Sequence, residues 1–265
     1  MLKEKNNKFL ILMAYYNRPK MVINALESIL ESNNNYKNWH LIFGDDGSVI
    51  PGRPIVEKYL KEYLNQITFI ESNATFEQKI RNGLTIGRYA NQIIKESDAD
   101  IALMLCDDDA LHPMYLNNLN SYYNKNPSVN YAYSKLSLFN QVKNKVNFED
   151  AQLNLVGKFN VCNEPIDPVG KVDASQVSWR LSCCKEMGAW FGESTIHVEG
   201  QPWSKDTDRS FFENLYKHCG FCYPTGFVGQ YKGIHDYQLL WHKDVPSASL
   251  WAYDQMCKRL AGVEF

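Results

Sequence analysis

Ile101-Ala-Leu-Met-Leu-Cys-Asp-Asp-Asp109 runs six apolar residues into three consecutive aspartates, and the reading of this stretch decides the fold. A short apolar run closed by polar residues is the pattern of a strand buried on both faces. Similar runs stand upstream at Phe9 to Ala14, Trp39 to Phe43 and Ile67 to Ile70. Stretches with helical periodicity separate them at Lys20 to Glu31, Pro54 to Asn65 and Asn82 to Lys95, and another follows at Pro113 to Lys125. Pro19, Pro54 and Pro113 each fall just before or within a first helical turn, where the missing N–H costs nothing. This strict alternation of strand and helix predicts an α/β fold with a mostly parallel central sheet flanked by helices.

Beyond residue 125 the periodic signals weaken. Val129 to Phe139 reads as one long strand or a strand pair, Asp206 to Lys217 as a helix, Phe221 to Tyr223 as extended and Ser247 to Leu260 as a closing helix. No Gly/Ser-rich or Pro-rich linker separates the halves, so 1–112 and 113–265 are expected to be two lobes of one domain.

The 265 residues carry 28 Lys+Arg against 30 Asp+Glu, a formal net charge of −2. Bulk charge therefore does not draw the chain to nucleic acid or anionic lipid. A 45% hydrophobic and 22% charged composition excludes a disordered or fibrous chain. No apolar run approaches the ~20 residues needed to cross a bilayer, and Phe9 to Ala14 lacks a signal-peptide cleavage site. A cytoplasmic protein with no transmembrane segment, soluble or peripheral at a membrane, is expected. Seven cysteines, an odd number, fit free thiols better than a disulfide framework. Cys219-Gly-Phe-Cys222 has no second C-x-x-C to complete a zinc site, and its aromatic setting reads as a buried strand with two inert thiols.

Open parallel sheets bind ligands outside the carboxyl ends of their strands. Here those ends read Tyr15-Tyr-Asn-Arg18, Asp45-Asp-Gly-Ser48, Glu71-Ser-Asn73 and Asp107-Asp-Asp109, so acidic and polar groups converge on one edge. One aspartate would suffice to cap the helix that follows near Pro113. Three are costly to gather without a positive partner, and a hard divalent cation is the usual remedy. Carboxylates with such an ion suit phosphate handling. The chain has no G-x-x-x-x-G-K-[ST] loop, no G-x-G-x-x-G turn and no G-x-S-x-G elbow, which disfavours P-loop NTPases, Rossmann dehydrogenases and α/β-hydrolases.

Five segments then fall into a recognisable order. They are Phe9-Leu-Ile-Leu-Met-Ala-Tyr-Tyr-Asn-Arg-Pro19, Asn24-Ala-Leu-Glu-Ser-Ile-Leu30, Trp39-His-Leu-Ile-Phe-Gly-Asp-Asp-Gly-Ser48, Arg88-Tyr-Ala-Asn91, and Leu105-Cys-Asp-Asp-Asp109 with Pro113 behind it. Together they resemble the GT-A glycosyltransferases of inverting family 2, which use nucleotide-diphospho-sugars. Val172-Asp-Ala-Ser-Gln-Val-Ser-Trp-Arg180, Asp208-Arg-Ser-Phe-Phe212 and Gly233-Ile-His235 extend the likeness, more loosely, towards that family's bacterial spore-coat polysaccharide members.

The resemblance implies a GT-A fold, a UDP-sugar donor, a glycan or other hydroxyl acceptor, and a divalent cation, Mn2+ or Mg2+. It assigns nucleotide contacts to Ala14, Tyr16, Asn17, Asp46, Arg88 and Asp107, with Asp46 facing the imide N–H of uracil. It makes Asp108 a metal ligand, gives His235 a metal or diphosphate contact, places Asp173 by the acceptor and makes Asp208 the general base. Cys106 stands where the family often has the first Asp of its D-x-D; a thiol is a poor ligand for a hard cation, and Asp109 is the candidate to compensate. Structural roles compete at several of these positions: Asp46 in an Asp-Gly turn, Asp208 as an N-cap and His235 among aromatic residues. Phe191 to Pro202, between Trp190 and Trp203, is a candidate lid.

Two further classes stay open on sequence alone. A sugar-phosphate nucleotidyltransferase shares an acidic metal site, although Tyr15 to Lys20 contains no glycine for a triphosphate-holding loop. The other is a non-catalytic nucleotide- or sugar-binding module. A glycosidase needs two carboxylates flanking one bond, and the aspartate triplet is too crowded for that.

Overall fold

The computed structural model describes residues 4–32, 36–72, 85–140, 163–191 and 207–234. The first half alternates as expected: β1 (Phe9–Tyr15), α1 (Met21–Ser32), β2 (Trp39–Asp45), α2 (Arg53–Tyr59), β3 (Ile67–Glu71), α3 (Thr85–Glu96), β4 (Ile101–Met104), β5 (Ala110–Leu111) and α4 (Tyr115–Lys125). The second half adds β6 (Tyr131–Asn140), β7 (Val177–Arg180), α5 (Ser182–Lys185), α6 (Thr207–Cys219) and β8 (Tyr223–Ile234). Eight strands form one sheet in the order β3-β2-β1-β4-β7-β6-β8-β5. The β3-β2-β1-β4 block is parallel throughout. β7 then enters antiparallel between β4 and β6, and β8 runs parallel to β6.

The apolar run of β1 is continuous because both faces of the sheet are covered. Phe9, Ile11, Met13 and Tyr15 face one core, which Val22, Ala25, Leu26 and Ile29 of α1 and Leu116, Leu119 and Tyr123 of α4 complete. Leu10 and Leu12 face a second core with Ala90 and Ile94 of α3, Trp179 of β7 and Phe211, Phe212 and Leu215 of α6. These apolar positions recur every three or four residues, the spacing of one helix face. Trp179 meets Phe211 edge-on at 4.9 Å between centroids, and Phe191 stacks on Phe211 at 3.8 Å. This aromatic cluster fixes where α6 begins.

The structure corrects one of these expectations and narrows two others. The helix expected over Pro54 to Asn65 breaks at buried Leu60, and Lys61–Gln66 continues as a 3-10 turn. Val129 to Phe139 resolves into the single strand β6. Phe221 to Tyr223 only touches the start of β8, which runs to Ile234. Glycine hides that strand: Gly226 takes a left-handed φ of 85° where the β6 pairing shifts register, and a Cβ at Gly229 would lie 2.7 Å from Ser134 and Tyr115. Ser247 to Leu260 lies outside the described residues. Among the described residues, no helix is long and apolar enough to cross a membrane.

Gly52, at the foot of α2, sits against the end of the sheet. A Cβ there would lie 2.6 Å from the Phe43 ring and 2.7 Å from the Tyr15 ring. Gly52→Ala is expected to cost about 1–3 kcal/mol through overpacking. Urea unfolding reads this directly, and an unchanged midpoint would show that the loop yields without cost.

Candidate functional site

The loop after β1 is built before it can bind anything. Asn17 is buried with a φ of 51°, a left-handed conformation that asparagine tolerates better than most residues. Its Oδ1 accepts from the Val49 amide at 2.7 Å, and its own amide donates to Ser48 Oγ at 3.0 Å. Asp45 makes the matching staple in the β2 loop: its carboxylate accepts from the amides of Ser48 and Gly52, each at 2.8 Å. Of the Asp45-Asp46 pair, the first therefore shapes the turn. Asp46 is also buried, and its amide prolongs the β1–β2 ladder by donating to the Tyr15 carbonyl at 2.9 Å. Ala14 on β1 pairs with Gly44, and Tyr16 stands half-buried beside it.

The aspartate triplet emerges where the β1–β4 ladder ends, just past the bond from the Leu105 amide to the Leu12 carbonyl. Arg18 Nη1 donates to Asp107 Oδ1 at 2.7 Å and lies 3.0 Å from Asp108 Oδ2. The Tyr16 amide holds the other oxygen of Asp107 at 3.0 Å. Arg18, Asp107 and Asp108 are each less than a tenth exposed. Burial first, and then the Asp108 charge, push the Asp107 carboxyl up to about 6 against the pull of Arg18.

Asp109 is fully buried and is served from the other half of the chain. Lys232 on β8 places Nζ 3.7 Å from Asp109 Oδ2 and 3.0 Å from Asp173 Oδ2. Asp173 caps the 3-10 turn Ala174–Gln176, its Oδ1 accepting from the Ser175 amide and hydroxyl, while Gln176 Oε1 accepts from the Asp173 amide. Burial opposes ionisation of Asp173, but the Lys232 ammonium and the Ser175 hydrogen bonds outweigh it and hold the carboxyl below the usual range. Lys232 behaves conversely: burial works against its charge, and the surrounding carboxylates, Asp109 first, carry it well above its ordinary value.

These six side chains set four carboxylates against two cations, a formal remainder of −2. Donor atoms of Cys106, Asp108 and Asp109 lie within 4.8 Å of one another. Asp108 and Asp109 offer the oxygen donors that a hard divalent ion prefers, and the remainder matches its charge. Burial pushes the Cys106 thiol well up, so it stays protonated and a poor donor. The residues therefore fit a divalent cation held by carboxylate oxygen.

Asp208 is half-buried in the first turn of α6, above the Phe211 stack. Arg88 belongs to α3, with its side chain outside the described residues. His235 and residues 192–206, which hold most of the candidate lid, lie outside them altogether. Cys219 is the last residue of helix α6, which corrects its placement in a strand, and its Sγ lies 3.7 Å from Met187 Sδ. Of the pair, Cys222 is the buried one, and burial pushes its thiol up.

Sequence reasoning missed Lys232, Gln230 and the work of Asn91. Gln230 is fully buried and donates to the Met104 carbonyl at 2.6 Å, pinning β8 beneath the end of β4. Asn91 exchanges two hydrogen bonds with the Phe191 backbone, 2.8 and 2.9 Å long, and so clips α3 to the aromatic cluster. Arg18 was visible only as part of the Tyr-Asn-Arg-Pro turn. A lone cation before a proline, facing an acidic run 89 residues away, is the signal that was there to find.

The sheet is α/β with a buried acidic knot at its carboxyl edge, and a family profile and solved structures narrow its class. A profile of glycosyl transferase family 2 matches residues 10–154. The fold is similar to that of S. aureus TarS: fragment 1–349 in complex with UDP-GlcNAc gives a TM-score of 0.62 at 16% identity, covering 97% of this chain and 66% of that one. Fragment 1–349 alone gives 0.59 at 14% identity, with 85% and 60% covered. Its complex with UDP gives 0.56 at 14%, with 97% and 64% covered. The chain thus spans between 60% and 66% of the length of those fragments. No curated protein sequence matches it. The chain belongs to glycosyl transferase family 2 and has the GT-A fold.

Proposed function

We propose that this chain transfers a sugar from a UDP-linked donor to a hydroxyl of a glycan or other acceptor, with inversion at the anomeric carbon. The observation that carries the reading is the knot of Arg18, Asp107 and Asp108 at the carboxyl edge of the sheet, with buried Asp46 on the neighbouring strand end. The TarS complexes with UDP and UDP-GlcNAc support the choice of donor. Residues 1–112 would hold the nucleotide and 113–265 the acceptor.

In this reading Asp46 accepts a hydrogen bond from the uracil imide N–H. Ala14, Tyr16, Asn17 and Arg88 line the nucleotide, and Asp107 faces the ribose or the metal. Asp108 and Asp109 would hold the cation, and His235 would contribute to the metal or the diphosphate. When bound, a divalent cation neutralises charge developing on the departing diphosphate. Asp208 removes the acceptor hydroxyl proton as the acceptor oxygen bonds to the anomeric carbon and the bond to the diphosphate oxygen breaks. Asp173 stands on the acceptor side.

Base choice gives a sharp test. A carboxylate facing the imide of uracil is paired, whereas the same carboxylate facing the ring nitrogen acceptor of cytosine is left unpaired at a cost of about 1–3 kcal/mol. UDP is therefore expected to bind roughly ten- to a hundredfold more tightly than CDP in calorimetric titration. Asp46→Ala should abolish the preference. Equal binding of UDP and CDP by the wild type would remove Asp46 from the base-reading role.

A further inference from the structure

Lys232 belongs to none of the roles above, yet it is built into the acidic edge. Its side chain is 21% exposed and its ammonium bridges Asp109, which is fully buried, to Asp173. The backbone of each partner is set without the lysine, which reaches one side-chain oxygen of each. The Asp109 amide closes a turn on the Cys106 carbonyl at 3.1 Å, and Asp173 is locked by its reciprocal hydrogen bonds with Ser175 and Gln176. The strand that delivers the lysine is fixed as well, because Gln230, two residues earlier on the same face of β8, is bonded to Met104 of β4. The ammonium is thus held at one oxygen of a residue that also sits within 4.8 Å of the Asp108 and Cys106 donor atoms.

We propose that Lys232 is a positioning residue that takes the place of one cation at the acidic edge, holding Asp109 and Asp173 and limiting the site to a single divalent ion shared by Asp108 and Asp109. The physical basis is charge. With Lys232 the two arginine and lysine cations leave a formal −2 over the four carboxylates, which one divalent ion satisfies. Without it the remainder is −3, and the buried Asp109 carboxylate has one cation fewer beside it. A buried charge that loses its partner recruits another or becomes costly.

The inference rests on the cation reading of the site, and its test separates the two. Mn2+ alone is titrated into nucleotide-free protein and followed by electron paramagnetic resonance. Lys232→Met keeps the apolar stem and removes the charge. It is expected to bind Mn2+ about tenfold or more tightly than wild type, or to take up a second ion. Lys232→Arg is expected to match wild type. Lys232→Met combined with Asp173→Asn restores the formal charge of the edge and should return binding towards the wild-type value, which keeps the test decisive if the single variant does not fold. A merely structural lysine would lower the unfolding midpoint and leave Mn2+ binding unmoved. Equal Mn2+ isotherms for wild type, Lys232→Met and the double variant overturn the proposal, including the case in which none binds. UDP binding that is indifferent to Mn2+ while the variants still differ from wild type would instead overturn the catalytic reading of the metal and spare the role of Lys232.

Discussion

Arg18→Ala is expected to destabilise the protein by about 3–5 kcal/mol, the size of effect seen when one partner of a buried ion pair is removed. Asp107 and Asp108 are nearly inaccessible and share one guanidinium nitrogen, at 2.7 and 3.0 Å. Truncation leaves two adjacent carboxylates in a site that water scarcely reaches, where burial already raises the Asp107 carboxyl. The Tyr16 amide still serves one oxygen of Asp107, but a neutral donor does not replace a cation. Arg18→Lys should recover part of the loss, because the charge returns without the planar group that reaches both acids. Urea unfolding at neutral pH measures it. A loss below about 1 kcal/mol, the range of exposed pairs, would mean that the two carboxylates are hydrated or neutralised by other means.

Asp208→Asn carries the largest effect expected on activity. General-base assistance contributes about 10²–10⁴ in rate, and an amide of the same shape cannot take up the acceptor proton. The substitution should leave the fold alone, since α6 is anchored by Phe211 against Trp179 and Phe191 rather than by its first turn. UDP binding should also be preserved, because the proposed base touches the acceptor and not the nucleotide. Turnover of UDP-sugar by Asp208→Asn within tenfold of wild type would assign the base elsewhere.

The parallel half of the fold was legible because physics leaves a strong trace there. Strands covered on both faces must be apolar throughout, and β1 and β4 are, while β2 departs from this at His40 and at its last residue, Asp45; their helices carry one apolar face each. The second half was obscure for an equally physical reason. β7 is four residues long, and β8 is punctuated by glycines that its bulge and its approach to Tyr115 require, so neither shows a period. The acidic edge was legible as residues and illegible as a network. Asp45 and Asp46 look alike in the sequence, yet the Ser48 and Gly52 amides claim Asp45 for the turn. Lys232 lies 123 positions beyond Asp109 on the strand that could not be read, so the cation that joins Asp109 to Asp173 appears only in three dimensions.

In the function proposed above, the acidic edge would hold a cation which in turn would hold a nucleotide diphosphate. Calorimetric titration of UDP into wild type and Asp108→Ala, each with and without Mn2+, tests it most directly. Wild type is expected to bind UDP tightly only with Mn2+, and Asp108→Ala to lose the metal-dependent part. No UDP binding by wild type, or binding indifferent to both Mn2+ and Asp108, would contradict it.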